Sequence, residues 1–331
     1  KRGLPDFERI GNVNVYRIGA GNKFLDKPLL PNLGFLKAIN FHKKRNYDLI
    51  HGIMASQGSA AAYLFKFFYP KIPFVLTLQE GDLGRNSPFD KFWQRRIIRK
   101  ADSITAISSY LVQFAERYNK KAPVFVVPNG VDPRKFSISN SNKFKKEKRI
   151  ITVSRLVPKN GIDILIRAME RVKKEIPEVT CHIIGDGRQR KELEKLTKKL
   201  NLENEIQFLD SIPNDEIPKH LAQATVFVRP SRSEGLGSAF LEAMAAGVPI
   251  VGTAVGGIPD FLKDGETGFF CLVENPEDLA SKIDMIFNNQ ILREKLVENA
   301  AKLVQEKYSW DRIAGEMSRV YHETINNYSG L

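Results

Sequence analysis

Apolar residues in this chain fall in short blocks, separated by stretches in which they recur every three or four positions. A short apolar block bounded by turn residues reads as a buried strand, and the 3.6-residue recurrence as a helix packed on it. In the first half this predicts strands at residues 12–18, 47–51, 74–78, 103–107 and 124–127. Helices fit between them at about 34–44, 59–69, 89–100 and 109–119. The stretch 137–149 is polar, basic and without period, and is the best linker in the chain. A fresh strand at 150–154 opens the second half, followed by strands at 180–184, 205–209, 225–228 and 250–252. Helices are expected at about 162–175, 188–200 and 278–288, and the last segment, 310–328, is amphipathic. Strand and helix alternating throughout is the pattern of parallel α/β architecture.

With 331 residues the chain is long for one core and comfortable for two domains. The expected division is 1–140, then 149–308, then a closing helix over 309–331. Both halves share architecture rather than sequence, and no short repeat is present. The most apolar run, from Gly58 to Tyr69, is broken by Lys66 and falls short of the roughly 18–20 residues of a spanning helix. The two cysteines, Cys181 and Cys271, sit in apolar strand-like runs, without metal-site spacing. They read as reduced core residues, which fits a cytoplasmic protein.

Net charge is +13 and unevenly spread. Residues 1–150 hold 28 Lys and Arg against 11 Asp and Glu, and the remainder 23 against 27. Such asymmetry points to an anionic partner for the first half, the plain alternative being a solvated basic face. The segment 89–100 puts Phe89, Trp93 and Ile97 on one helical face among basic residues. It suits either an anionic membrane surface or packing into its own domain.

Candidate chemistry concentrates in residues 229–249, RPSRSEGLGSAFLEAMAAGVP. Two carboxylates, Glu234 and Glu242, flank the Gly235-Leu236-Gly237 turn, which runs into a short helix. Ser238 is placed to cap that helix, Gly247 to end it and Pro249 to block its continuation. A helix N-terminus behind a glycine turn offers free N–H groups and the positive end of a dipole to a phosphate. Glu242, one turn in, leans back towards the same opening and suits sugar hydroxyls rather than phosphate. The stretch thus suggests a nucleotide diphosphate carrying a sugar; the alternative is a surface loop before a buried Ala-rich helix.

The whole pattern PSxxEGxGxxxxEAMAxGxPxV, with Gly256-Gly257-Ile258-Pro259-Asp260 and Asp264-Gly265-Glu266-Thr267-Gly268 after it, closely resembles the retaining glycosyltransferases of family 4 (glycosyl transferases group 1). The resemblance implies the GT-B fold, two Rossmann-like domains facing across a cleft, with the closing helix crossing back to the first. It implies that Glu234 sits by the transferred sugar and Glu242 holds the ribose. The Gly235–Gly237 backbone would line the diphosphate, with Ser231 and Ser238 on the same donor side. The family's GRLxxxKG motif, whose Arg and Lys hold the donor phosphates, is met here by Arg155, with Asn160 at the Lys position and Lys159 one residue earlier.

By the same resemblance Gly185-Asp186-Gly187 approaches the nucleoside, and the run 208–211 lies near the base. Pro128-Asn129-Gly130-Val131-Asp132 with Phe136 matches the family's PNGVDxxxF turn, and Lys100-Ala101-Asp102 with Ser108 the run before it. Where the family carries a His beside the sugar, this chain has Gln79 or Glu80. Either can bond a sugar hydroxyl, and only Glu80 could act as a base. His51 is a second polar group at a strand end, as apt to be structural as to face the acceptor. The chain opens with Lys1, and the resemblance implies that a first strand and a Gly-rich loop precede it.

The expected activity is transfer of a hexose from a UDP- or GDP-sugar, with retention, to a lipid-linked or polysaccharide acceptor. Neither a metal nor a cofactor is expected beyond the nucleotide sugar, and the location is cytoplasmic, peripheral at the inner membrane face. The rivals are a nucleotide-sugar epimerase, a phosphorylase, and a silent donor-binding protein. Nucleic-acid binding has no recognition helix or stacking motif behind it.

Overall fold

The computed structural model describes residues 4–19, 23–79, 88–136 and 148–329. Glu80, Gly81 and Asp82, and residues 137–147 of the expected linker at 137–149, lie outside them. The chain forms two compact units, 1–127 with 316–331, and 128–315.

The first unit opens with β1 (Phe7–Ile10) and β2 (Val13–Tyr16), then α1 (Lys23–Arg45), β3 (Ile50–Ile53), α2 (Gln57–Phe68) and β4 (Phe74–Leu78). It continues through α3 (Pro88–Lys100), β5 (Ser103–Ala106), α4 (Ser109–Tyr118) and β6 (Val124–Val126). The strands β3-β4-β5-β6 lie in that order in one parallel sheet. Every residue of β4 and β5 is buried, which is why both read from the sequence as unbroken apolar or small blocks.

The expected strand at 12–18 is a correction. Residues 13–16 pair antiparallel with Phe7–Ile10 in a hairpin of their own and do not join the parallel sheet. A two-residue turn with Gly11 at φ +58° closes this hairpin, and a turn that short permits only antiparallel pairing. The helix expected from residue 34 starts at Lys23 and runs through Pro28 and Pro31. Proline has a helical φ, so each costs the helix an N–H bond without ending it.

The second unit contains α5 (Pro133–Phe136), β7 (Arg149–Val153), α6 (Ile162–Glu175), β8 (Thr180–Ile184), α7 (Arg190–Lys199) and β9 (Ile206–Leu209). Then follow α8 (Ile217–Leu221), β10 (Val226–Arg229), α9 (Ser238–Ala245), β11 (Ile250–Thr253), β12 (Phe269–Cys271), α10 (Pro276–Asn288) and α11 (Gln290–Lys307). The last helix, α12 (Trp310–Ser329), begins in this unit and counts with the first from Glu316.

All six strands of the second sheet are parallel, in the order β12-β11-β10-β7-β8-β9. Helix α6 carries seven buried residues onto this sheet, and Cys181 and Cys271 are free and buried in its core. The chain leaves β7 towards β8 on one side and later returns to β10 on the other. The sheet therefore reverses its winding between β7 and β10, and crevices for ligands open outside the carboxyl ends of strands at such a point.

Candidate active site

The loops after β7 and β10 carry the residues singled out in the sequence. Ser154, Arg155 and Lys159 follow β7, and Ser231, Glu234 and the Gly235-Leu236-Gly237 turn follow β10. Asn160, at the position of the family's lysine, is 4% exposed and donates its amide N–H to the Arg155 carbonyl at 2.6 Å. That residue fixes the loop from within, while the exposed Arg155 side chain has no partner among the described residues. Lys159 is half-buried, and its carbonyl accepts the Arg232 N–H at 2.7 Å.

Arg232 binds this loop to its neighbours. Its guanidinium donates to both Asp163 oxygens at 2.8 and 2.7 Å, to the Pro158 carbonyl at 2.6 Å, and to both oxygens of Glu274. These two carboxylates raise its pKa, against a smaller effect of burial. The loops after β7, β10 and β12 are thereby joined through one side chain.

Glu234 is held on both oxygens. Oε2 accepts from Arg229 Nη2 at 2.6 Å, and Oε1 accepts the Gly235 N–H at 3.0 Å. Arg229, the last residue of β10, is 5% exposed, and its guanidinium lies 4.7 Å from the centre of the Phe240 ring. Glu242 is half-buried on α9, with its pKa raised by desolvation against the pull of Lys135 and Arg229. No described residue donates a hydrogen bond to its carboxylate. It is thus an acceptor without a donor, which suits hydroxyl groups of a ligand.

The cap of α9 differs from expectation. Gly237, not Ser238, is the N-cap, at φ +98° and ψ +61°, with no side-chain cap bond. A Cβ at Gly237 would stand 2.9 Å from Arg229 Nη2 and 2.9 Å from the Phe240 ring, so a serine-type cap has no room there. The first helical N–H groups are left for another partner. Gly247, at φ +69°, follows the helix end as expected. Ser231 is fully buried; its carbonyl accepts from Thr253 Oγ1 at 2.5 Å, while its own hydroxyl, like that of Ser154, has no partner among the described residues.

Gly185 and Gly187 pack on the backbone of the β7 loop, where Cβ atoms would meet the Ser154 and Leu156 carbonyl oxygens at 2.0 and 2.3 Å. Asp186 lies between them, exposed, with its carboxylate accepting the Gly187 N–H at 2.7 Å. This turn therefore supports the Arg155 loop directly. Asp210, after β9, is 91% exposed and pairs with Arg190 at 3.3 Å.

In the first unit His51 is bonded through both nitrogens, Nε2 with Thr77 Oγ1 at 2.6 Å and Nδ1 with Tyr321 OH at 2.9 Å. Burial lowers its pKa to about 4, so the ring is neutral and structural rather than offered to an acceptor. Gln79 is half-buried at the end of β4 and already has a partner. Of the two alternatives for this face, Trp93 and Ile97 take packing within their own domain, Trp93 against Tyr63 and Ile97 to 1% exposure. The outer face of α3 presents Lys91, Phe92, Arg95, Arg96, Arg99 and Lys100 to a groove of about 780 Å³. Arg95 lies 5.3 Å from the centre of the Tyr118 ring and Arg96 4.6 Å from that of Phe92.

Two site residues escaped the sequence reading. Arg229 reads as the polar end of an apolar strand; the signal was its place directly after Val226-Phe227-Val228, five residues before Glu234. Arg232 lies within the motif at a variable position, and its partners Asp163 and Glu274 are far away in sequence.

A family model described as Glycosyl transferases group 1 matches residues 133–303, and one described as Glycosyltransferase Family 4 matches residues 1–135. An uncharacterized glycosyltransferase of Methanocaldococcus jannaschii is 31% identical, over 96% of this chain and 86% of that protein. A GDP-mannose-dependent alpha-(1-6)-phosphatidylinositol monomannoside mannosyltransferase of Mycolicibacterium smegmatis is 34% identical over 53% of this chain and 50% of its own length. Among solved structures, sucrose-phosphate synthase from Thermosynechococcus elongatus superposes with a TM-score of 0.84, at 21% identity, over 98% of this chain and 86% of that one. The Anabaena protein HepE in complex with UDP-glucose gives 0.78, at 23% identity, over 87% and 82%.

Proposed function

The chain belongs to the family 4, group 1 glycosyltransferases, and on that premise we propose that it transfers a hexose from a UDP- or GDP-sugar to a lipid-linked or polysaccharide acceptor, with retention of the anomer. The observation that carries this reading is the pair of carboxylates at the sheet's reversal. Glu234 is oriented on both oxygens, and Glu242 is a half-buried acceptor without a hydrogen-bond donor. In this reading Glu242 takes the ribose hydroxyls and Glu234 the hydroxyls of the sugar.

The diphosphate lies against the Gly235–Ser238 backbone at the start of α9, where the N–H groups from Leu236 onward (that of Gly235 is held by Glu234) and the helix dipole favour negative charge. Arg155 and Lys159 reach it from the β7 loop. They stabilise the charge that grows as the bond from the anomeric carbon to the diphosphate oxygen breaks, the electrostatic effect that usually dominates catalysis. The acceptor hydroxyl attacks from the same face and gives its proton to the departing diphosphate. Neither carboxylate forms a covalent intermediate, and the phosphate charge is met by these cations and N–H groups without a resident metal.

The acceptor side is read from the first unit. The five cations and Phe92 around the α3 groove suit an anionic membrane surface that presents the acceptor. Residue 80 lies outside the described residues, and the role proposed for Glu80 towards a sugar hydroxyl rests on the family resemblance.

Titration calorimetry with UDP-, GDP- and ADP-sugars tests the donor site. Saturable binding of one nucleotide is expected, weakened by tenfold or more in Glu242→Ala, since one hydrogen bond between a charged group and a hydroxyl is worth roughly 1.5–3 kcal/mol. Wild-type binding unchanged by that substitution would remove Glu242 from the site.

A further inference from the structure

Arg229 ends an interior strand, flanked by β11 on one side and β7 on the other. A guanidinium buried there is costly unless its charge is answered, and an apolar residue would fill the place without that cost. The cation does not bind the sheet tightly: its one contact to the sheet backbone is to the Val153 carbonyl at 3.4 Å. Its short bond, at 2.6 Å, goes to Glu234 instead. Phe240 lies under the guanidinium, and Gly237, which has no side chain, leaves the space through which the pair meets. The Gly235 N–H takes the other oxygen, so the carboxylate plane is set from two directions.

From this geometry we infer that Arg229 is a positioning residue for the transfer reaction, holding the Glu234 carboxylate in the one orientation in which its remaining lone pairs meet the donor's sugar. The inference rests on the donor-site reading above. Glu234 is separated from Arg229 by only four residues, yet the loop between them turns back on itself, so the carboxylate could not keep this orientation without an anchor beneath it. Arg229 also acts on Glu242 by charge alone, and so the two acidic residues share one buried cation. A lysine in its place supplies the charge but not the forked, planar geometry.

The experiment compares binding of a nucleotide sugar with binding of the same nucleotide diphosphate: UDP-glucose with UDP, and GDP-mannose with GDP. The ratio reports sugar contacts alone and needs no acceptor. In Arg229→Met, affinity for the diphosphate is expected to stay within about threefold of wild type, while the added affinity from the sugar falls by roughly 10- to 100-fold, the worth of a charge-assisted contact. Arg229→Lys should recover part of that loss. Glu234→Gln and the double variant should match each other, because once Glu234 is gone Arg229 has nothing to position.

An unchanged ratio in a folded Arg229→Met protein would overturn the inference. So would equal loss of diphosphate and sugar binding with a collapse of Tm in both Arg229 variants, which would make the residue part of the core only. Failure of the wild type to bind any nucleotide would overturn the donor-site reading itself, a result distinct from either of these.

Discussion

His51 shows how one residue's environment can reverse its apparent role. The expected strand at 47–51 would put this histidine at a strand end, where it looks like a functional group, but β3 spans Ile50–Ile53 and His51 is its second residue. Both ring nitrogens are instead taken by Thr77 and Tyr321, and Thr77 Oγ1 is in turn bonded to Thr105 Oγ1 at 2.6 Å. Burial holds the folded pKa at about 4, against 6.5 for the free side chain. Between those values the unfolded chain binds a proton that the folded chain refuses, so stability falls as pH drops from 6.5 towards 4 and levels off below. Through this residue the loss amounts to about 3 kcal/mol. Denaturant unfolding at pH 7 and pH 4.5 should show a smaller drop in His51→Gln than in wild type; equal drops would mean that His51 titrates normally.

Elements differ in how much of themselves they show in sequence. The buried parallel strands were legible because both of their faces are covered, which makes them continuous apolar blocks. Helix α6 was legible to the residue, since its apolar stripe and its glycine start agree. The β1–β2 hairpin was not, because its strands are four residues long and mostly exposed, with no buried face to repeat. Helix α11 was overlooked for another reason. One residue, Asn289, both ends α10, expected at 278–288, and caps α11 by accepting the Leu292 N–H at 3.0 Å, so no loop announces the second helix.

Loops between elements carry the tightest contacts. Gly256, at φ +56°, lets the loop after β11 rest on the loop after β10; a Cβ there would stand 1.8 Å from the Glu234 carbonyl oxygen. Gly256→Ala is therefore expected to cost roughly 2–3 kcal/mol and to weaken nucleotide binding, because the carbonyl it would strike belongs to the site. Gly315→Ala is the control. It adds a methyl where nothing lies within 4 Å of the new atom, inside helix α12, and should raise Tm slightly. Equal effects of the two substitutions in thermal melts would contradict this account of the loop contact.

At the scale of the whole chain, charge is unevenly divided. The first 150 residues carry the basic excess, and the α3 groove gathers five of those cations around Phe92 and Tyr63. Lys91→Gln/Arg95→Gln/Arg99→Gln should weaken binding to phosphatidylserine-containing vesicles by about 100-fold, at roughly 1 kcal/mol per cation near an anionic surface. Donor affinity, which the proposed function assigns to residues of the second unit, should be unchanged. Equal sedimentation with neutral phosphatidylcholine vesicles, or insensitivity to salt, would dismiss the membrane reading.

By itself the sequence determined the parallel α/β architecture and the family, and it singled out the stretch around Glu234 and Glu242 as the candidate donor site. These are local properties: periodicity, glycine turns and residue spacing survive in one dimension. The tertiary structure alone decided that Asn160 braces the Arg155 loop, that Gly237 rather than Ser238 caps α9, that His51 is inert, and that Arg229 anchors Glu234. Each of those depends on which strands lie side by side at the sheet's reversal. Strand order brings residues 153, 229 and 253 to one edge, and no pattern along the chain encodes the distance between them.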